Sequence, residues 1–246
     1  MEPARSKASP TSAAPATAPA GSAAAATATK PVRIMIADDH EIVRRGLATI
    51  IESRRDWMVC TEASDGREAV SKAKQHRPDL IILDISMPNM NGLEAARQIL
   101  KFAPQTQILI LTMHESEELV RNVLAAGARG YMFKSDAGRD LVAAVEALRL
   151  GKPYFTSKVA EKVLSGYLAG ATEDVPEKVA QDPLTPRERE IIQLLAEGKS
   201  SKEVAISLGL SVKTAETHRA NIMRKLDLHS ISDLVRYAIR NKIIEP

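Results

Sequence analysis

Five side chains able to bind cations or take part in group transfer stand where apolar runs end. Val32-Arg-Ile-Met-Ile-Ala37 leads into Asp38 and Asp39, and Leu80-Ile-Ile-Leu83 into Asp84. Ile108-Leu-Ile-Leu111 leads into Thr112, and Gly130-Tyr-Met-Phe133 into Lys134. Polar residues often terminate strands, so no single position carries weight. Their shared placement does. Three carboxylates in close quarters repel one another and favour a hard divalent cation, and all-oxygen ligation with retained waters suits Mg²⁺. A carboxylate beside such a cation can attack a phosphoryl group and form an acyl phosphate. The Lys134 ammonium and the Thr112 hydroxyl would meet the charge that develops on the phosphoryl oxygens.

The elements that must position these groups follow from the pattern. Strand-like runs cover Val32–Ala37, Met58–Glu62, Leu80–Leu83, Ile108–Leu111 and Gly130–Phe133. Helical segments lie between them. Asp65 with Glu68, and Asn91 with Glu94, have the spacing of capped helix starts. Gly127 closes a helix running from about position 116, and a last helix covers Asp140–Leu150. Strands this continuously apolar, alternating with helices, predict a doubly wound parallel α/β sheet of five strands, flavodoxin-like, with helices on both faces. In such a sheet the strand C-termini share one edge, where ligands bind. That single inference gathers all five groups into one site.

The stretch Asp84-Ile-Ser-Met-Pro-Asn-Met-Asn-Gly92 resembles the phosphoacceptor loop of two-component receiver domains, and the resemblance covers about residues 32–150. It implies that Asp84 accepts the phosphoryl group. It implies that Asp38, Asp39, Asp84 and the backbone carbonyl of Ser86 hold Mg²⁺. Thr112 would be the switch hydroxyl, and Tyr131, three residues before Lys134, the aromatic switch. Two positions depart from the pattern. Ser135 stands where many receivers carry proline, and Met113 stands where many carry a small residue, which narrows access to the phosphoryl group. Cys60 reads as a small core residue and Trp57 as the anchor of its strand. His40 and His114 read as rim residues.

The chain beyond Pro183 has no strand-like run and reads as four short helices. Thr185-Pro-Arg-Glu188 and Ser200-Ser-Lys-Glu203 are capping boxes, Gly209 permits a sharp turn, and Ser211 caps a third helix reaching about Leu226. Two short helices joined by a tight turn predict a helix-turn-helix over about Ser201–Ala220. On the third helix, Ala215, Ile222 and Leu226 form the core stripe. Glu216, Thr217, Ala220 and Asn221 lie opposite, surrounded by Lys213, Thr214, Arg219, Arg224 and Lys225. Donors and positive charge of this kind position a duplex, while Thr, Asn and small residues touch base edges. The segments Leu184-Thr-Pro-Arg-Glu-Arg-Glu190, Gly198-Lys-Ser-Ser-Lys-Glu-Val-Ala205 and Ser211-Val-Lys-Thr-Ala-Glu-Thr-His-Arg219 resemble the DNA-binding domain of LuxR/FixJ-type regulators.

Composition bounds the remaining choices. The 246 residues are too many for one average domain. One cysteine excludes a disulfide framework. No apolar run approaches the roughly 18–20 residues that cross a bilayer. An aromatic content of 3% argues against a stacking platform for single strands. The expected organisation is a disordered Ala/Pro/Ser/Thr-rich tail over 1–31, a receiver over 32–151, a linker with a helix over 152–182 and a reader over 183–246. Taken together, the resemblances imply a cytoplasmic response regulator and transcription factor. A sensor histidine kinase would phosphorylate Asp84, and the active form would be a homodimer on double-stranded DNA, with no membrane partner and no turnover activity. On phosphorylation, loss of receiver–reader contacts, or a new dimer contact, would release the helix 211–226 for the major groove. Two rival readings are a Mg²⁺-dependent phosphohydrolase, which would need a general acid, and a phosphorylation-independent module with a vestigial acidic pocket.

Overall fold

The computed structural model describes residues 30–113, 117–156, 159 and 184–244. The tail expected over 1–31 (apart from its last two residues), His114, and the linker helix apart from Val159 lie outside them.

Strands β1 (Val32–Ala37), β2 (Trp57–Ala63), β3 (Leu80–Asp84), β4 (Gln107–Thr112), β5 (Gly130–Phe133) and β6 (Tyr154–Phe155) form one parallel sheet in the order β2-β1-β3-β4-β5-β6. The expected count of five is therefore corrected to six. β6 pairs Tyr154 with Gly130 and Tyr131 with Phe155. Two half-buried residues after a proline make no apolar run, so nothing in the chain's pattern signals this strand.

Side-chain alternation along the strands builds two cores. Ile34, Ile36, Leu80, Ile82, Leu109, Leu111 and Met132 face helices α1 (Glu41–Glu52) and α5 (Ala137–Arg149). Met35, Ala37, Ile81, Leu83, Ile108, Ile110, Tyr131 and Phe133 face α2 (Gly66–His76), α3 (Gly92–Phe102) and α4 (Glu117–Ala125). Full burial of each large aliphatic contributes about 1.5–3 kcal/mol, before the entropy of ordering it is counted. That is why β3 is apolar until Asp84. Cys60 is the extra residue of a bulge between the Ile34–Val59 and Met35–Thr61 pairs, and it is half-buried. Burial pushes its thiol pKa up. Trp57 is buried at the start of β2.

Local signals set the helix starts. Asp65 caps α2 by accepting from the backbone N–H groups of Arg67 and Glu68, at 2.8 and 2.9 Å. Glu68 does not reach back to Asp65. Its Oε2 accepts instead from the Ser64 backbone N–H at 2.7 Å and the Ser64 hydroxyl at 2.9 Å, while Oε1 pairs with Lys72 at 2.7 Å. Partial burial works against ionisation here, but Lys72 and Ser64 outweigh it and hold the carboxyl at about 2. A depressed folded pKa stabilises above the unfolded value and is lost as pH falls toward the folded one. Glu68→Gln is therefore expected to be less stable than wild type at neutral pH. The gap should close between pH about 4.5 and about 2 in paired denaturation curves. A gap that does not change with pH would contradict this account.

Beyond residue 183 the reader is all helical: α6 (Pro186–Ala196), α7 (Ser201–Leu208), α8 (Val212–Lys225) and α9 (Ile231–Arg240). Thr185 and Ser200 form complete capping boxes, and Ser211 and Ser230 cap the two later helices. Gly209 ends α7 at φ 62, a left-handed backbone that glycine adopts at little cost. Ile191, Ile192, Leu194, Leu195, Val204, Ala205, Leu208, Ala215, Ile222, Leu234 and Ala238 make its core.

Candidate functional site

The parallel register carries Ala37 beside Leu83, Asp84 beside Leu111, and Thr112 beside Phe133. The residues that follow each strand therefore converge on one edge. Asp38 and Asp84 are each 1% exposed and Thr112 is fully buried. Lys134 Nζ sits 2.8 Å from Asp38 Oδ2 and 2.8 Å from Asp84 Oδ2. Asp38 Oδ1 accepts from the His40 backbone N–H at 2.9 Å, which fixes the start of α1. Ligand atoms of Asp38, Asp39, His40 and Asp84 all lie within 4.8 Å of one another.

The electrostatics follow from this crowding. Burial pushes the Asp84 carboxyl up to about 6. Lys134 opposes that rise, and the like charge of Asp38 adds to it. For Lys134, burial works against the ammonium, but Asp38 and Asp84 outweigh burial and raise its pKa. The ammonium neutralises about one of the two buried carboxylates, and the set retains an appetite for further positive charge.

His40 stands at the rim, its side chain 65% exposed, and touches the cluster. Its Nδ1 lies 2.8 Å from Asp39 Oδ1 and 3.3 Å from Asp38 Oδ1. The one sequence signal was adjacency to the Asp38-Asp39 pair. Tyr131 is wholly buried and meets Phe133 edge to face, with ring centroids 5.9 Å apart. Lys134 opens a short 3-10 turn, Lys134–Asp136, that carries Ser135, and no peptide bond among the described residues is cis. Met113 is 69% exposed at the edge of the pocket.

On the reader, α8 turns Ala215 and Ile222 into the core and leaves Lys213, Thr214, Glu216, Thr217, Ala220, Asn221 and Arg224 exposed. Arg219 is half-buried. Two donors are partly engaged within the helix. Thr217 Oγ1 donates to the Lys213 carbonyl at 2.8 Å, and Arg224 Nη2 donates to Asn221 Oδ1 at 2.9 Å. Lys225 pairs with Glu188 at 2.8 Å.

A model of the response regulator receiver domain matches residues 34–146, and a model of bacterial regulatory proteins of the luxR family matches residues 182–238. The oxygen regulatory protein NreC of Staphylococcus carnosus is 39% identical over 218 residues, 87% of this chain and 100% of that protein. The chain belongs to the LuxR-type two-component response regulators. Its fold is similar to that of a LuxR-family response regulator from an Aurantimonas species, at TM-score 0.54 and 34% identity, over 56% of this chain and 99% of that one. It is also similar to the response regulator RcsB in complex with DNA, at TM-score 0.52 and 27% identity, over 86% of this chain and 99% of that one.

In this regulator the receiver and the reader touch. The cross-domain bonds run to α6, the turn after it, the end of α7 and the C-terminal turn. Arg67 Nη2 pairs with Glu190 Oε2 at 2.8 Å, and its Nη1 donates to the Ser207 carbonyl. Gln98 Nε2 donates to Glu190 Oε1 at 2.9 Å. Gln193 Nε2 donates to the Met87 carbonyl at 2.9 Å, and Gln193 Oε1 accepts from the Asn91 backbone N–H at 2.8 Å. Asn91 Nδ2 donates to the Ile243 carbonyl at 3.0 Å, and Lys199 Nζ donates to Asn89 Oδ1. The cause is composition. α6 carries Glu190 and Gln193 in positions that need partners once buried, whereas the outer face of α8 is polar and exposed.

Proposed function

We propose that this regulator accepts a phosphoryl group on Asp84 and passes the change to a DNA-reading helix. The observation that carries the reading is the buried Asp38–Lys134–Asp84 arrangement, with Asp39 and His40 within ligand distance. The donor set of carboxylates fits Mg²⁺, held by Asp38, Asp39, Asp84 and the Ser86 carbonyl. When bound, the cation neutralises phosphoryl oxygen charge. An Asp84 oxygen forms the new O–P bond as the P–N bond to a kinase histidine breaks. The electron pair stays on the imidazole, which takes up a proton. Lys134 turns from the two carboxylates toward the phosphoryl oxygens, Thr112 donates its hydroxyl to them, and Tyr131 follows Thr112. The proposed division is a receiver over 32–151, a linker over 152–182 and a reader over 183–246, with β6 extending the receiver's sheet past residue 151. Asp84 is consumed and restored rather than turned over on a separate substrate, so the protein is a switch and not an enzyme.

For the reader, Lys213, Thr214, Glu216, Thr217, Arg219, Ala220, Asn221 and Arg224 face double-stranded DNA. One helix reads few base pairs, so the active species is a homodimer on paired half-sites. Its DNA partner places the protein in the cytoplasm, and no helix among the described residues is long and apolar enough to cross a membrane.

The decisive experiment is intact mass after treatment with acetyl phosphate and Mg²⁺. Wild type should gain one phosphoryl group and Asp84→Ala none. An adduct that survives in Asp84→Ala would overturn the assignment. For the reader, Arg224→Ala should weaken binding to all duplexes alike and reduce the slope of log affinity against log salt by about 1. Asn221→Ala should instead weaken binding to the cognate half-site more than to random DNA, by about 1–3 kcal/mol. Equal losses for Asn221→Ala on both DNAs would remove it from base reading.

A further inference from the structure

The loop between Asp84 and α3 is held from both domains. Within the receiver, Gly92 N–H donates to the Ile85 carbonyl at 2.9 Å, and Gly66 N–H donates to the Met90 carbonyl at 3.1 Å. From the reader, the single side chain of Gln193 bridges the loop, donating to Met87 O and accepting from Asn91 N–H. Gln193 is 3% exposed and Asn91 is 7% exposed. Beside this bridge lies a cavity of about 370 Å³ whose walls include Asp39 and Ser86 from the receiver and Glu197, Lys242 and Ile243 from the reader. The reader therefore sits directly against the backbone that runs from the acceptor aspartate, and among the described residues the bonds to that backbone come from α6, the turn after it and the C-terminal turn.

We infer that Gln193 is a positioning residue for phosphoryl acceptance: the docked reader clamps the loop Ile85–Asn91 in its unloaded geometry, so docking and loading oppose each other. This rests on the reading of Asp84 as the phosphoacceptor. The sign comes from hydrogen-bond bookkeeping. Both bonds to Gln193 are buried, so movement of the Met87 or Asn91 backbone leaves a buried donor or acceptor unpaired while the reader stays docked. Once the reader leaves, water can satisfy the same groups. The clamp therefore penalises a shift of the loop only in the docked form. A coupling between two states acts in both directions: whatever the docked reader costs loading, loading costs docking. The route is separate from Thr112 and Tyr131, which stand on β4 and β5. The pair Arg67–Glu190 holds the same interface without touching the acceptor loop.

The test measures initial loading of the full-length protein by acetyl phosphate at saturating Mg²⁺. Gln193→Ala should load faster than wild type, by about fivefold or more, the lower bound of ordinary coupling between sites. Gln193→Glu, measured in parallel, retains an acceptor for Asn91 but places an anion against the Met87 carbonyl, and should also load faster. Glu190→Gln loosens docking at a distance and should raise the rate too. The double variant Gln193→Ala/Glu190→Gln should be no faster than the faster single one, because an undocked reader has no clamp left to lose. General structural damage lowers a loading rate, so a gain separates positioning from mere packing. Unchanged or slower loading in the two Gln193 variants, or strictly multiplicative gains in the double variant, would overturn the clamp while leaving Asp84 as acceptor. No adduct on wild type, or an adduct that persists in Asp84→Ala, would overturn the reading of Asp84 and the clamp with it.

Discussion

Replacing Gly92 with alanine is expected to abolish phosphoryl loading and to cost at least about 3 kcal/mol of receiver stability. A Cβ built on Gly92 falls 1.9 Å from the Asp84 carbonyl oxygen, 2.8 Å from the Asp84 carbonyl carbon and 3.1 Å from Ile85 Cα. All three atoms are backbone, so no rotamer can relieve the clash. Gly92 starts α3, and its N–H closes the loop onto the Ile85 carbonyl, so relief must come from moving the acceptor backbone or breaking that bond. Either outcome displaces Asp84 from Lys134. Gly46→Ala supplies the control. It lies inside α1 with nothing within 4 Å of the added Cβ, and it should be neutral or stabilising by up to about 1 kcal/mol. Urea denaturation of the two variants, with loading measured on both, checks the pair. A Gly92→Ala protein as stable and as readily phosphorylated as wild type would mean that this close approach has no role in the site.

What could be read from the chain and what could not differ in kind. β3 was legible because both its faces are buried, which forces an unbroken apolar run that stops where a polar group is wanted. The starts of α2, α6, α7 and α8 were legible because orphan N–H groups at a helix end select Asp, Thr or Ser locally. The acidic pocket followed from topology alone, since parallel strands place their C-termini on one edge. The domain interface was not legible. Gln193 and Glu190 look like solvent-facing positions on an amphipathic helix, yet they are 3% and 7% exposed because partners on another domain satisfy them. Pairing over a separation of a hundred residues leaves no periodic trace. Glu94 shows the same effect. Its spacing from Asn91 reads as a capping box, but it is 2% exposed and its Oε2 lies 3.7 Å from Arg189 Nη1 of the reader. Local rules thus hold where local groups must be satisfied, and they lose where a distant partner does so instead.

The second large effect is expected at Lys134. Its ammonium stands 2.8 Å from oxygens of two carboxylates that are each 1% exposed. Lys134→Met fills similar space without the charge and leaves both carboxylates facing each other in a low-dielectric pocket. Removing one partner from a buried ionic group costs about 3–5 kcal/mol. Loading should fall by about a hundredfold or more, the usual consequence of deleting a group that stabilises developing charge. The two losses have different remedies. A divalent cation among Asp38, Asp39 and Asp84 can offset the missing positive charge, so Mg²⁺ should stabilise Lys134→Met more than it stabilises wild type. It cannot replace a donor that moves onto the phosphoryl oxygens, so loading should stay low at saturating Mg²⁺. Denaturation curves with and without Mg²⁺, set beside adduct formation from acetyl phosphate, therefore separate the structural part of Lys134 from its chemical part. Recovery of both by Mg²⁺ would reduce the lysine to a counter-ion, and recovery of neither would mean that the three carboxylates do not share a cation.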